Sequence, residues 1–279
     1  MNNHFEKYLF HPVRKPLSEA DARIDLIRSK DNPVMGMFYE SAYFLDSYTL
    51  CEDEYALPGD ELLCFMNASG EGEALGATVS LTVNGVRFTT DRSFMIRIPA
   101  RVPHGRIIIE DVKAPVLYFC AASGREHVCV PEENWNTRDV PAFEEMVTYA
   151  GGEGNVFMRL VPGETVRSDN SSVIHVLEPD GPGYSQECLL HDNPKIICFY
   201  GCDPEKPYEL GGEFTLYLDG EKLTVTEPTL CYIAPYVIHG PVITGKVEKK
   251  CLVHTFAPYE GPVTVIGLES PEAEMTEPW

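Results

Sequence analysis

Hydrophobic and polar residues alternate with a period of two along much of the chain. The pattern is clearest in residues 78–83 and 213–218, where valine, leucine and phenylalanine alternate with threonine, serine, glutamate and tyrosine. In an extended strand, alternate side chains point to opposite faces. Both segments are therefore predicted to be half-buried β-strands.

Each of these segments is followed by a turn signal. Asn84-Gly85 ends the first and Asp219-Gly220 ends the second. Such pairs favour two-residue hairpins, because the type I′ turn needs a positive φ at both central residues. Many short strands separated by turns about every 8 to 12 residues predict an antiparallel sandwich or barrel.

The pattern occurs twice. His104 and His239 lie 135 residues apart, and each closes a series of strand, turn, strand and a corner that contains proline. Residues 62–65 match residues 196–199 at almost the same offset. This duplication predicts two domains, residues 1–140 and 141–279, with residues 131–150 as the linker.

Only two helices are expected. Residues 17–29 begin with Ser18 as a possible N-cap and continue with apolar residues, a pattern that predicts a helix. Residues 141–150 have proline in the first turn and are followed by Gly151-Gly152, which predicts a short helix. The predicted fold class is therefore all-β.

Charge and composition limit the functions to be considered. The chain has 22 Lys+Arg against 43 Asp+Glu, a formal net charge of −21, which disfavours nucleic acid and anionic membrane surfaces as partners. It contains no apolar run of about 18 residues and opens without an apolar secretory segment. Its nine cysteines form no CxxC pair and are predicted to be free, mostly buried thiols, as expected for a cytoplasmic protein.

The two histidine segments resemble the second sequence motif of the cupin superfamily. Residues 99–104 and 234–239 keep its histidine, with Arg101 and Tyr236 at the position of its glycine. The resemblance implies two tandem jelly-roll β-barrels, a bicupin. Cupins include isomerases, dioxygenases, decarboxylases and storage proteins, so the resemblance is specific for the fold and weak for the activity.

The resemblance also suggests where a metal site would lie. In the second copy, His191, Glu213 and His239 are the candidate ligands of a divalent metal such as iron, manganese, zinc or nickel. Tyr217 shares a strand face with Glu213 and is the candidate catalytic residue, and His254 is a further possible contributor.

The first copy is expected to be degenerate. It keeps Glu61 and His104, but Leu57 stands where the second copy has His191, and Thr78 stands where it has Glu213. The second copy departs from the motif as well, because Lys195 falls where an acidic residue is common.

Two functions follow from these patterns. One is a protein that binds a divalent metal and a small organic ligand in its second barrel, with a dioxygenase- or isomerase-like enzyme as one form of this function. The alternative is a metal-free small-molecule-binding or scaffold protein, in which Lys195 replaces the charge of the metal and pairs with either Glu213 or a ligand carboxylate. The sequence leaves open whether the chain is an enzyme. By analogy with cupins, a homodimer formed through the apolar residues 34–50 is expected.

Overall fold

The computed structural model describes residues 4–16, 18, 21–31, 35–124, 126–160, 171–257 and 264–265. Ten strands lie in the first half of the chain: β1 (Leu9–Phe10), β2 (Arg23–Arg28), β3 (Met37–Phe44), β4 (Tyr48–Tyr55), β5 (Glu61–Asn67), β6 (Ala74–Val83), β7 (Val86–Arg92), β8 (Phe94–Ile98), β9 (His104–Glu110) and β10 (Val116–Ser123).

The second half contains β11 (Val147–Tyr149), β12 (Val156–Leu160), β13 (Ser171–Leu177), β14 (Ser185–Gln186), β15 (Leu189–Leu190), β16 (Lys195–Gly201), β17 (Gly212–Leu218), β18 (Glu221–Val225), β19 (Thr229–Ile233), β20 (His239–Val247), β21 (Cys251–Ala257) and β22 (Thr264–Val265). The described α-helix is α1 (Phe143–Met146), and short 3-10 turns cover Glu6–Tyr8, Ser29–Asp31 and Glu132–Asn134.

The strands form four antiparallel sheets, two in each barrel. The first barrel consists of a six-stranded sheet, β11-β8-β5-β10-β3-β2, and a four-stranded sheet, β4-β9-β6-β7. The second barrel consists of a six-stranded sheet, β1-β19-β16-β21-β13-β12, and a sheet with the order β18-β17-β20-β15-β22, in which β14 also pairs with β20. The predicted all-β class and the two tandem jelly-roll barrels are confirmed.

Each barrel has its own apolar core, formed by alternate residues of its strands. Val79, Leu81 and Val83 of β6 point into the first core, and Phe214 and Leu216 of β17 point into the second. The predicted alternation is thereby confirmed in both strands. The polar residues of both strands occupy the face opposite the core.

A third apolar cluster joins the barrels, because the six-stranded sheets pack against each other. The Tyr43 hydroxyl donates a hydrogen bond to the carbonyl oxygen of Gly201 at 2.6 Å, and Phe119 packs on Tyr200 with ring centroids 5.5 Å apart. The aromatic side chains at 39 and 43 are thus buried inside the chain. The homodimer expected through residues 34–50 stays a prediction.

The helix predicted at residues 17–29 is wrong. Residues 23–28 form β2, which pairs with β3. Ile24 and Leu26 are buried, and Asp25 between them is only partly buried. The alternation is that of a strand, and pairing with β3 buries the apolar side. In the second predicted helix only Phe143–Met146 is helical, and the chain continues directly as β11.

The two halves exchange short strands. β1 comes from the start of the chain but pairs with β19 of the second barrel, whereas β11 follows the predicted boundary but pairs with β8 of the first. These pairings connect the barrels through the backbone. The boundary between residues 140 and 141 stays a prediction.

The turns expected from the sequence are present in both barrels. Asn84, Gly85, Asp219 and Gly220 all have positive φ, as a type I′ turn requires. The nine cysteines are free, and seven of them are buried. Among the described residues, no helix is long and apolar enough to cross a membrane.

Replacing Tyr236 with glycine is expected to stabilise the fold. Tyr236 has φ +63° and is 71% exposed, so its side chain has little packing to lose. Relief of the left-handed strain outweighs the greater entropy of the unfolded chain, which gives a net gain of about 0.5 kcal/mol in the free energy of unfolding. Urea unfolding measures it, with Tyr236→Ala as the control that keeps a Cβ. An equal gain in both variants would show that strain is not the cause.

Candidate functional site

The two barrels carry opposite charges at equivalent interior positions. Glu61 begins β5 and lies opposite Ile98, and Lys195 begins β16 and lies opposite Ile233. Each faces the histidine that opens a strand in the other sheet of its barrel, His104 in the first barrel and His239 in the second. The two copies of the repeat therefore share this geometry, but the first has an acidic residue where the second has a basic one.

In the first barrel, four side chains converge on the buried Glu61. The distance from His104 Nε2 to Glu61 Oε2 is 2.5 Å. Tyr55 Oη, Cys120 Sγ and His127 Nε2 approach Glu61 Oε1 at 3.3, 2.9 and 3.1 Å. Both carboxylate oxygens are therefore satisfied by the protein itself.

The neighbours of this carboxylate decide its charge. Burial opposes ionisation, but His104 and His127 outweigh it and hold the pKa of Glu61 well below its usual range. His104 Nδ1 lies 2.8 Å from the carbonyl oxygen of Val102, which can only accept a hydrogen bond, so Nδ1 carries a proton. The first site is thus a closed network around an ionised Glu61.

The second barrel holds two neighbouring imidazoles. The His191 and His239 rings stack with centroids 5.0 Å apart and planes inclined by 20°. Burial, reinforced by Lys195, lowers the pKa of His191 to about 4 and that of His239 to about 3, so both are neutral at pH 7. In both rings Nε2 is buried and has no hydrogen-bond partner among the described residues.

Lys195 lies beside these imidazoles and is also buried. Its Nζ donates to Gln186 Oε1 at 2.9 Å, and Tyr184 Oη donates to the same oxygen at 3.0 Å. No described carboxylate forms an ion pair with Lys195, and burial lowers the pKa of its ammonium to about 8. Gln186 Nε2 is buried without a partner among the described residues.

The structure brings together His191 and His239 but not the other residues proposed from the sequence. Glu213 is exposed, and together with Tyr217 it occupies the face of β17 opposite Phe214 and Leu216, whose side chains point into the barrel core. The period of two directs both side chains away from the barrel core, to a face on which Glu213 is exposed and Tyr217 is buried. His254 points towards the first barrel, where its ring centroid lies 4.9 Å from that of Phe119, and its Nε2 lies 2.8 Å from Ser172 Oγ on the neighbouring strand of its own sheet.

Similarity to solved structures extends over nearly the whole chain. AerE from Microcystis aeruginosa matches with 11% identity and a TM-score of 0.53, covering 90% of this chain and 99% of its own. The R92A mutant of Bacillus subtilis oxalate decarboxylase OxdC matches with 8% identity and a TM-score of 0.57, covering 93% and 79%. Both are cupin-superfamily proteins. This chain shares the fold of these proteins.

The sequence itself is distant from known families. No protein-family model and no curated protein matches it. Another structure of the Bacillus subtilis enzyme, from work on its Mn(II) centres, matches with 10% identity and a TM-score of 0.57, covering 96% of this chain and 83% of its own. At such identity the similarity establishes the fold alone, and the chemistry of this chain must come from its own side chains.

The residues of the second barrel do not fit a divalent metal. The free Nε2 atoms of His191 and His239 could bind a metal. However, the second barrel has the ammonium of Lys195 at the position where the first barrel has the carboxylate of Glu61. A dication would be repelled by that ammonium. Among the described residues, no group of three or more His, Cys, Asp or Glu side chains is arranged to hold a metal.

Sequence reasoning missed several members of both sites. Tyr55 pairs with His104 as Leu189 pairs with His239, so the internal repeat could have identified Tyr55. Gln186 and His127 come from segments without a motif. Only the fold brings Gln186 to Lys195 and His127 to Glu61.

Proposed function

We propose that this protein binds a small organic acid inside its second barrel, and that Lys195 holds the carboxylate directly, without a metal. The observation that carries the proposal is a buried lysine that lacks a carboxylate partner among the described residues. This is the metal-free alternative of the sequence analysis, and it takes precedence here over the metal-dependent enzyme.

The energetics of burial favour an anionic ligand. Removing an ammonium from water is costly unless a counter-charge or several hydrogen bonds compensate, and the described partner of Lys195 is a neutral amide oxygen. A ligand carboxylate supplies the missing charge. It also gives the free Gln186 Nε2 an acceptor.

Replacing Lys195 with methionine tests the proposal. Calorimetric titration with acetate, propionate and succinate is expected to show binding to the unmodified protein. Lys195→Met is expected to weaken it about ten- to hundredfold, because one hydrogen bond to a charged group is lost. Lys246→Met removes an exposed lysine of the same barrel and should leave binding unchanged.

Two outcomes would overturn the proposal. One is the same affinity in Lys195→Met as in the unmodified protein, or no binding of any acid. The other is about one equivalent of a divalent metal in protein purified without added metal, together with loss of that metal in His239→Ala, which would instead support the metal-dependent alternative.

A further inference from the structure

We infer that the acid bound by the second barrel is a hydroxy acid, whose hydroxyl group donates a hydrogen bond to His239 Nε2. This inference rests on the proposed function and narrows it from organic acids in general to those with a hydroxyl group near the carboxylate. The buried polar atoms of the second barrel that lack partners among the described residues include both an acceptor and a donor.

His239 presents an acceptor to the barrel interior. Its Nδ1 lies 3.2 Å from the carbonyl oxygen of Val237, and a carbonyl oxygen only accepts, so Nδ1 carries the hydrogen. A neutral imidazole then has a lone pair at Nε2. This buried lone pair has no donor among the described residues.

Gln186 presents a donor to the same interior. Its Oε1 accepts from both Lys195 Nζ and Tyr184 Oη, which fixes the orientation of the amide. The two hydrogens on Gln186 Nε2 are therefore available, and no described acceptor takes them. Lys195 adds further donor hydrogens beside them.

A matching ligand needs acceptors at one end and a donor at the other. A simple carboxylate satisfies Lys195 and Gln186 but leaves the His239 lone pair without a partner. A keto acid adds a second acceptor, which faces that lone pair unfavourably. A hydroxy acid satisfies all three residues, because its hydroxyl donates to Nε2.

The buried polar groups around Glu61 in the first barrel do not require a ligand. Glu61 accepts from Tyr55, His104, Cys120 and His127, so the acceptors and donors at its centre satisfy one another. No atom of these five residues is buried without a partner. Selection for a hydroxyl group is therefore expected in the second barrel only.

Matched pairs of acids test this inference by calorimetry: glycolate with acetate, lactate with propionate, and malate with succinate. In the unmodified protein the hydroxy acid of at least one pair is expected to bind about tenfold more tightly, the effect of one added hydrogen bond to a buried acceptor. Pyruvate is expected to bind more weakly than lactate.

Two variants separate charge from hydroxyl recognition. His239→Phe keeps a ring but removes the acceptor, so it should abolish the preference for hydroxy acids while retaining the binding of propionate. Lys195→Met should weaken both members of each pair by a similar factor. Circular dichroism and thermal unfolding confirm that each variant is folded.

The outcomes distinguish the inference from the proposed function. Equal binding of both members of every pair, lost in Lys195→Met, would overturn the hydroxyl inference and leave the proposed function standing. A tenfold preference that survives in His239→Phe would also overturn it. If no acid binds the unmodified protein, both fail together.

Discussion

Lys195→Glu is expected to convert the second barrel into a metal site. Purified with Mn²⁺, Fe²⁺ or Zn²⁺ present, this variant should retain about one equivalent of metal after desalting, whereas the unmodified protein retains less than about a tenth. Metal at a hundred times its dissociation constant should also stabilise the variant by about 2.7 kcal/mol.

The reason is that, at the three equivalent positions 57/191, 61/195 and 104/239 of the repeat, each barrel holds only part of a two-histidine, one-carboxylate set. The second has His191 and His239 with both Nε2 atoms free, but Lys195 occupies the carboxylate position. The first has Glu61 and His104, with Leu57 at the position of His191. A carboxylate in the second barrel would complete a set that suits non-haem iron and also zinc or manganese.

Lys195→Met is the matched control for this experiment. It removes the ammonium without adding a ligand, so it should take up metal far more weakly than Lys195→Glu. Adding His239→Phe to Lys195→Glu should abolish uptake, which shows that the metal lies at this site. A folded Lys195→Glu variant that takes up no metal would contradict the equivalence of positions 61 and 195.

Much of the fold follows from local pattern in the sequence. The alternation in β6 and β17 and the turns at Asn84-Gly85 and Asp219-Gly220 depend on neighbouring residues alone, and all are present. The helix prediction for residues 17–29 is wrong because Ile24, Leu26 and Ile27 fit one side of a helix as well as they fit a bulged strand. Pairing with β3, which no local pattern reveals, decides between the two.

The candidate site was less predictable, for two physical reasons. Glu213 was chosen for its chemistry, yet the same alternation that predicts β17 directs it away from Phe214 and the barrel core. Gln186 and Tyr184 reach Lys195 only because β14 pairs with β20, a contact between residues far apart in the chain. Motif spacing found His191, Lys195 and His239, and the fold supplied the rest.

The opposite charges of Glu61 and Lys195 give the centres of the two barrels different properties. In the first, Glu61 and its four donors satisfy one another, so the interior is complete without a ligand. In the second, Lys195, Gln186 and the two imidazoles leave charge and hydrogen bonds unsatisfied among the described residues. Stability is therefore expected to depend on the first centre, and ligand binding on the second.

Glu61→Leu is accordingly expected to destabilise the protein by about 3–5 kcal/mol, the usual cost of removing one partner from a buried ion pair. It leaves Tyr55, His104 and Cys120 without their acceptor. Glu61→Gln should cost less than about 1.5 kcal/mol, since its amide keeps an acceptor for the surrounding donors and preserves the shape of the side chain. Urea unfolding compares the two, and equal small losses would show that the network contributes little.

The stabilisation by this network should also depend on pH. The folded-state pKa of Glu61 is lowered, so its contribution is complete above about pH 4.3 and is lost as the pH falls through that lowered pKa. The pKa of His127 changes in the opposite sense: burial lowers it, but Glu61 outweighs burial and raises it. Its contribution is therefore complete below about pH 6.5 and is lost as the pH rises through the raised value.

The difference in unfolding free energy between the unmodified protein and Glu61→Gln should therefore be largest between about pH 4.3 and 6.5 and decrease on both sides. Unfolding at about pH 3, 5.5 and 8 measures it. A difference that stays constant across this range would mean that Glu61 is not ionised in the folded protein, because only an ionised carboxylate couples to both ends of the window.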